Sequence, residues 1–135
     1  MPLWQARMNA YTNHNIGQGA APAALTMPAK VQLTTTVGTA TATGTVVTGA
    51  SYADQSLTAA QITAAAGTAA ASNNVTLTYA SMPAVPAPGV QGVNVIDSTA
   101  TTPLISGSGG LTAAKVVNAG DTFSIAAGAL TESIQ

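Results

Sequence analysis

The chain contains no cysteine, which excludes a disulfide framework and any thiolate metal site. Charge is nearly as scarce: three Lys and Arg and four Asp and Glu among 135 residues, 5% of the chain, where an ordinary soluble domain has about 25%. Arg7, Lys30 and Lys115 are far apart in sequence, so no cluster of cations is available to neutralise a nucleic-acid backbone. Bulky side chains are also few, with one Trp, one Phe and three Tyr. No run of about 18 apolar residues occurs, so no membrane-spanning helix is expected. The opening MPLWQARMNAYTNHN lacks the apolar run of a signal peptide, and synthesis in a cytoplasm without a cleaved export signal is expected.

What is abundant is small and neutral. Much of the hydrophobic fraction of 47% is alanine, which adds little buried area per residue. At about 25 cal/mol per Å² of apolar surface, such a core offsets the entropy of ordering the chain only modestly. A length of 135 residues suits one domain burying roughly two-thirds of the surface its unfolded chain exposes. The surface must be built from Thr, Ser, Asn, Gln, Gly and Ala. Such a surface repels neighbours poorly and packs well against other subunits, which points to assembly.

Patterning places one helix ahead of a series of strands. Trp4, Met8 and Tyr11 stand at i, i+4 and i+7, one stripe of a helix over residues 3–16, with Pro2 at its start and Gly17 to end it. GQGAAPAALTMP (17–28) reads as a loop. KVQLTTT alternates, with Val31 and Leu33 to one side. VGTATATGTVVTGAS is a strand pair or a long loop. A strand is expected to end near Thr58, and the Ala-rich piece 59–71 reads as strand or loop. NNVTLTYASMP gives the clearest strand, through Val75, Leu77 and Tyr79. MPAVPAPG, with three prolines, is expected to be an extended, exposed connection. A strand through Val93 and Val95 follows and ends at Asp97-Ser98. TPLISGSGGLTAAKVVNAGD suggests two short strands around a Gly-Ser-Gly-Gly turn. Phe123 and Ile125 share one strand face, and Leu130 and Ile134 the last strand. Short strands separated by turn signals predict a mainly β protein, a single antiparallel β-sandwich or jelly-roll-like domain with a short N-terminal helix. The division is residues 1–28, helix and arm, and 29–135, the β-sandwich domain.

The residues that could carry chemistry are few and scattered. His14 sits in the polar end of the helix with no carboxylate at a matched spacing, so it reads as an exposed or capping residue. Asp54, Asp97, Asp121 and Glu132 show no spacing for calcium. Asp97 and Asp121 occupy turn positions, where a carboxylate accepts local backbone N–H groups. GSGG (107–110) lacks the Lys-Ser/Thr of a phosphate loop. The abundant Ser and Thr have no base to activate them. No catalytic, cofactor-binding or metal-binding residue is expected, and the chain reads as a non-enzyme.

Four stretches carry a family likeness: QARMNAYTNHNIGQG, PAKVQLTTTVGTATATGTVVTGASYADQSLT, NNVTLTYASMPA, and VQGVNVIDSTATTPLISGSGGLTAAKVVNAGDTFSIAAGAL. Through them the chain resembles small structural proteins of tailed phages, common among actinobacterial phages and often labelled tail fibre protein. Several of these resemble capsid decoration (cement or minor capsid) proteins of the outer head shell. Where that family usually shows Tyr-Ala-Arg, this chain has Tyr52-Ala53-Asp54.

The resemblance and the neutral composition together imply a decoration protein on the outer capsid surface of a virion. Its partners would be the major capsid protein and itself, as a homotrimer at lattice three-folds, with no nucleic acid and no membrane. The expected contact residues are Leu3, Trp4, Met8 and Tyr11 in the N-terminal segment, then Met82, Pro83, Pro86 and Pro88 in the proline-rich one. The alternative is a tail-fibre or baseplate-associated receptor-binding module, which would use exposed aromatics, whereas Tyr52 and Tyr79 fall in strand patterns that look buried. A cell-wall hydrolase would need a carboxylate or His–Asp pair that the chain does not display.

Overall fold

The computed structural model describes residues 3–21, 25–39, 42–66, 71–98 and 105–132. Helix α1 spans Leu3–Asn15 and ends as its sequence predicts. Gly17 takes φ +76°, its N–H donates to the His14 carbonyl at 3.0 Å, and Gln18 N–H donates to the Asn13 carbonyl at 2.7 Å. These two bonds form a Schellman cap, which satisfies carbonyls that the helix leaves open.

The rest is antiparallel β-structure. A four-stranded sheet has the order β2-β1-β6-β7, built from β1 (Ala29–Thr34), β2 (Gln55–Leu57), β6 (Val85–Ile96) and β7 (Ile105–Val117). Beside it, β5 (Leu77–Tyr79) pairs with β8 (Phe123–Ile125). A small sheet joins β3 (Ile62–Thr63), β4 (Ala71–Asn73) and β9 (Thr131–Glu132). The fold is mainly β, with antiparallel sheets and one short helix, as its sequence predicts.

Alternation sets the core. Val31 and Leu33 of β1, both fully buried, pack with Leu77 and Tyr79 of β5, Phe123 and Ile125 of β8, and Met82, Val85 and Val90 near and on β6. Tyr79 stacks on Tyr52 with centroids 6.2 Å apart and meets Phe123 edge-on at 6.3 Å. So three of the five aromatics gather at one point, where they bury much area per residue. The Ala-rich segment begins with a 3-10 turn at Ala59–Gln61 before β3, while residues 67–70 and Ile134 lie outside the described residues.

Two expectations are corrected. MPAVPAPG is not a connection, since from Val85 onward it is the first part of β6. Prolines are tolerated there because β1 pairs with β6 only between Gly92 and Ile96. On the other side the register slips between Val85↔Val117 and Val90↔Lys115, leaving residues 86–89 opposite Val116 alone. Proline needs such a position, since it cannot donate to a ladder. Nor does Gly-Ser-Gly-Gly make a turn between two short strands. It lies inside the continuous 13-residue β7, with Gly107 opposite Val95, Gly109 opposite Val93 and Gly110 opposite Gly92.

The glycines serve close approach. A Cβ on Gly92 would collide with the Gly109 carbonyl, and one on Gly110 would sit 3.3 Å from the Val37 side chain. The threonine-rich residues 35–39 and 42–46 can therefore lie over this part of the sheet. Asn94 fastens it: its side-chain amide accepts from Gly44 N–H and donates to the Gly44 carbonyl, both at 3.1 Å.

Candidate contact surface

The expected contact residues fall in three environments. Leu3, Trp4 and Met8 lie on α1, but their side chains are outside the described residues; Tyr11, one turn on, is half-buried. The helix rests against β7. Met82 belongs to the core at 1% exposure, which corrects its assignment to a surface contact. Its N–H donates to the Asp121 carbonyl and its own carbonyl accepts from Gly120 N–H, each at 2.8 Å. The residue is thus tied on both sides to the turn before β8. Pro83 is half-buried and seated on Gly49.

Pro86 and Pro88 are exposed, as is Ala87 between them. They ride on the β6 bulge, and Gly89 sets its shape. Gly89 is buried with φ +89°, and a Cβ there would overlap the Lys115 carbonyl. A second irregularity stands on the partner strand, where residues 111–114 face Gln91 alone. Residues 112–116 are all exposed, including Val116 at 52%. The end of the β6–β7 ladder beyond β1 is therefore a two-stranded ribbon. It offers Pro86, Pro88, Ala113, Ala114 and Val116 to solvent, with Lys115 its one charge. The Lys115 ammonium lies 5.6 Å from the centre of the Phe123 ring, a cation–π contact that holds the charge over the β8 side.

The carboxylates are not gathered. Asp54 accepts from Gln32 Nε2 at 3.0 Å. Asp121 accepts from the backbone N–H of Asn118 at 3.0 Å and from its side-chain amide at 3.3 Å, the local turn its sequence context predicts. Asp97 is buried at 2% exposure, which no signal in the sequence distinguishes from an ordinary turn aspartate. The side chain of Glu132 is outside the described residues. His14 is exposed in the last turn of α1, its Nδ1 3.4 Å from the Gly19 carbonyl oxygen. Among the described residues no three His, Asp or Glu stand together in a way that could hold a metal ion.

Tyrosines 52 and 79 are absorbed by the fold. The Tyr52 hydroxyl accepts from Leu33 N–H at 2.7 Å and the Tyr79 hydroxyl donates to the Val31 carbonyl at 2.9 Å. Burial pushes both phenols well above the usual tyrosine range. For Tyr52 the bond from Leu33 opposes the shift and the Asp54 carboxylate adds to it; for Tyr79 the neighbouring Tyr52 and Asp54 add to it. Tyr79 is buried, and Tyr52 is half-buried with its ring stacked on Tyr79.

Two expected contact elements, α1 and the proline bulge, thus both border the β6–β7 ladder. Among known proteins, a family model described as podophage GP4 fiber I protein gp80 matches residues 5–133. No curated protein matches the chain.

Proposed function

We propose that this chain, which belongs to the podophage GP4 fiber I protein gp80 family and is a structural protein of a phage virion, binds the outer surface of the major-capsid lattice and reinforces the head. The observation that carries this reading is how little charge the surface holds. Of the four carboxylates, Asp97 is buried and Asp54 is half-buried and bonded to Gln32, while Asp121 stays exposed in its turn, as Lys115 does on β7. Around these few charges the exposed residues are largely small and neutral, suited to packing on another protein without long-range steering. Repetition over many lattice sites turns a weak contact into strong reinforcement. The contact elements are α1, with Leu3, Trp4, Met8 and Tyr11, and the bulge bearing Pro86 and Pro88, with Pro83 at its base. The protein acts by binding, without a cofactor.

The family description favours a second reading, a fibre or baseplate-associated module that projects from the virion and contacts the host. The two readings place the protein differently. Electron microscopy of virions with the gene intact and deleted separates them. Under the decoration reading, deletion removes ordered density across the head and the heads rupture at lower temperature. Unchanged heads with density missing from a fibre or the tail would sink that reading and establish the second.

A further inference from the structure

We propose that the threonine-rich hairpin of residues 35–39 and 42–46 is a strap that lifts off the sheet as a unit, with Asn94 as its catch. The hairpin grows from the end of β1, and its base is fixed. Val46 bridges back to Thr34, and Val47 N–H donates to the Leu33 carbonyl at 2.9 Å. Its arms also hold each other. Thr35 N–H donates to the Thr45 carbonyl at 2.8 Å, Thr45 N–H to the Thr36 hydroxyl at 2.8 Å, and Thr39 N–H to the Ala42 carbonyl at 2.7 Å. A lifted hairpin keeps all of these bonds, so it can leave the sheet without unfolding.

Its grip on the sheet is of another kind. Two side-chain amides of β6 reach across to it: Asn94 engages both the N–H and the carbonyl of Gly44, at 3.1 Å each, and Gln91 donates to the Thr35 carbonyl. No described residue of the hairpin belongs to the hydrophobic core, which resumes at Val47. Val37 lies over Gly110 but stays 47% exposed. Beneath Gly44 sits Thr34, fully buried, with a hydroxyl that has no hydrogen-bond partner. A segment opens separately from the rest of a fold when it covers little apolar surface and is held by a few polar bonds. Lifting exchanges the amide bonds for bonds to water, and it hydrates the Thr34 hydroxyl, whose dry burial costs free energy while the strap is down. These effects largely offset each other, whereas opening β1 or β6 would expose the core.

Native-state hydrogen exchange of the unmodified full chain tests the motion directly. Gly44 N–H, which Asn94 protects, is expected to be about tenfold or more less protected than Val47 N–H at the base, and to depend more weakly on urea. Thr35 N–H, held by the hairpin's own bond, should stay better protected than Gly44. Because the chain has no cysteine, Thr34→Cys places a single thiol beneath the strap, and Val31→Cys places one on the core face of the same strand. Iodoacetamide should alkylate the first about tenfold or more faster than the second. Adding Asn94→Ala should raise that ratio by about tenfold again, since both bonds to Gly44 are lost; taking the ratio cancels any change in global stability. Equal protection of Gly44 and Val47 would overturn the proposal. So would thiols that react at one rate with one urea dependence, or a ratio that Asn94→Ala leaves unchanged.

Discussion

Replacing Tyr52 with phenylalanine removes one oxygen atom, and the structure makes that oxygen the partner of a main-chain donor. Strand β2 covers β1 only between Ala29 and Val31. Past its end the fully buried Leu33 still has an N–H and a carbonyl to satisfy on that side. Val47 N–H supplies the carbonyl with a donor at 2.9 Å, and the Tyr52 hydroxyl accepts from the Leu33 N–H at 2.7 Å. Phenylalanine keeps the stack on Tyr79 but orphans that N–H, for which the cost is about 1–3 kcal/mol. The same change at Tyr79 leaves a carbonyl without one donor, and a carbonyl with two lone pairs tolerates this better; about 1 kcal/mol is expected. Urea denaturation followed by circular dichroism should therefore give Tyr52→Phe a loss of about 2 kcal/mol, and a larger one than Tyr79→Phe, with unchanged slopes. A Tyr52→Phe loss below about 0.5 kcal/mol, or a reversed order, would refute the assignment of this hydroxyl as a surrogate strand partner.

The same two phenols set the alkaline limit of stability. Both are held above the ordinary range by burial, so the folded chain keeps protons that the unfolded chain loses above pH about 10. Their contribution is intact below that pH and declines above it, by about 1.4 kcal/mol per pH unit for the buried Tyr79 and less for the half-buried Tyr52. Urea midpoints measured from pH 9 upward should fall, and Tyr79→Phe should flatten the decline; midpoints independent of pH would contradict the burial argument. Thr34 offers the opposite sign. Its hydroxyl is buried without a hydrogen-bond partner, so Thr34→Val removes an unpaid desolvation cost and should raise stability by about 1 kcal/mol. A drop in thermal midpoint would show that the hydroxyl does have a partner, such as a buried water.

The helix, its glycine stop and the strands around Val31, Leu77 and Phe123 were legible because each rests on a local rule: period, cap or alternation. The two failures share one cause. A proline run reads as a connection and a glycine run as a turn when the only information is the residue's own backbone preference. Here Pro86 and Pro88 lie where β6 has lost one neighbour and slipped register with the other. Gly92 and Gly110 are small because another part of the chain comes close. Both reasons are non-local, and no window of sequence contains them. The candidate contact surface was half legible for the same reason. Exposure of Pro86 and Pro88 followed from composition, whereas burial of Met82 depends on its bonds to the 120–121 turn.

The buried amides explain how so small-residued a chain selects one arrangement. Asn73 donates to the carbonyls of Val75 and Ala126 at 2.7 and 2.9 Å and accepts from Leu130 N–H at 2.9 Å. It joins the β4–β5 turn to the last segment of the fold, and Asn94 joins the threonine-rich segment to the sheet. Each bond adds only about 1 kcal/mol net, yet an orphaned buried group costs more than that. The effect is larger on wrong structures than on the right one. A one-residue slip of β6 would turn Asn94 to the opposite face, away from Gly44, and bury its amide unpaired. The core is mostly Val, Leu and Ile around Tyr79, Met82 and Phe123, and aliphatic side chains of similar volume exchange places at modest cost. Directional polar contacts therefore fix the register that side-chain volume alone would leave open.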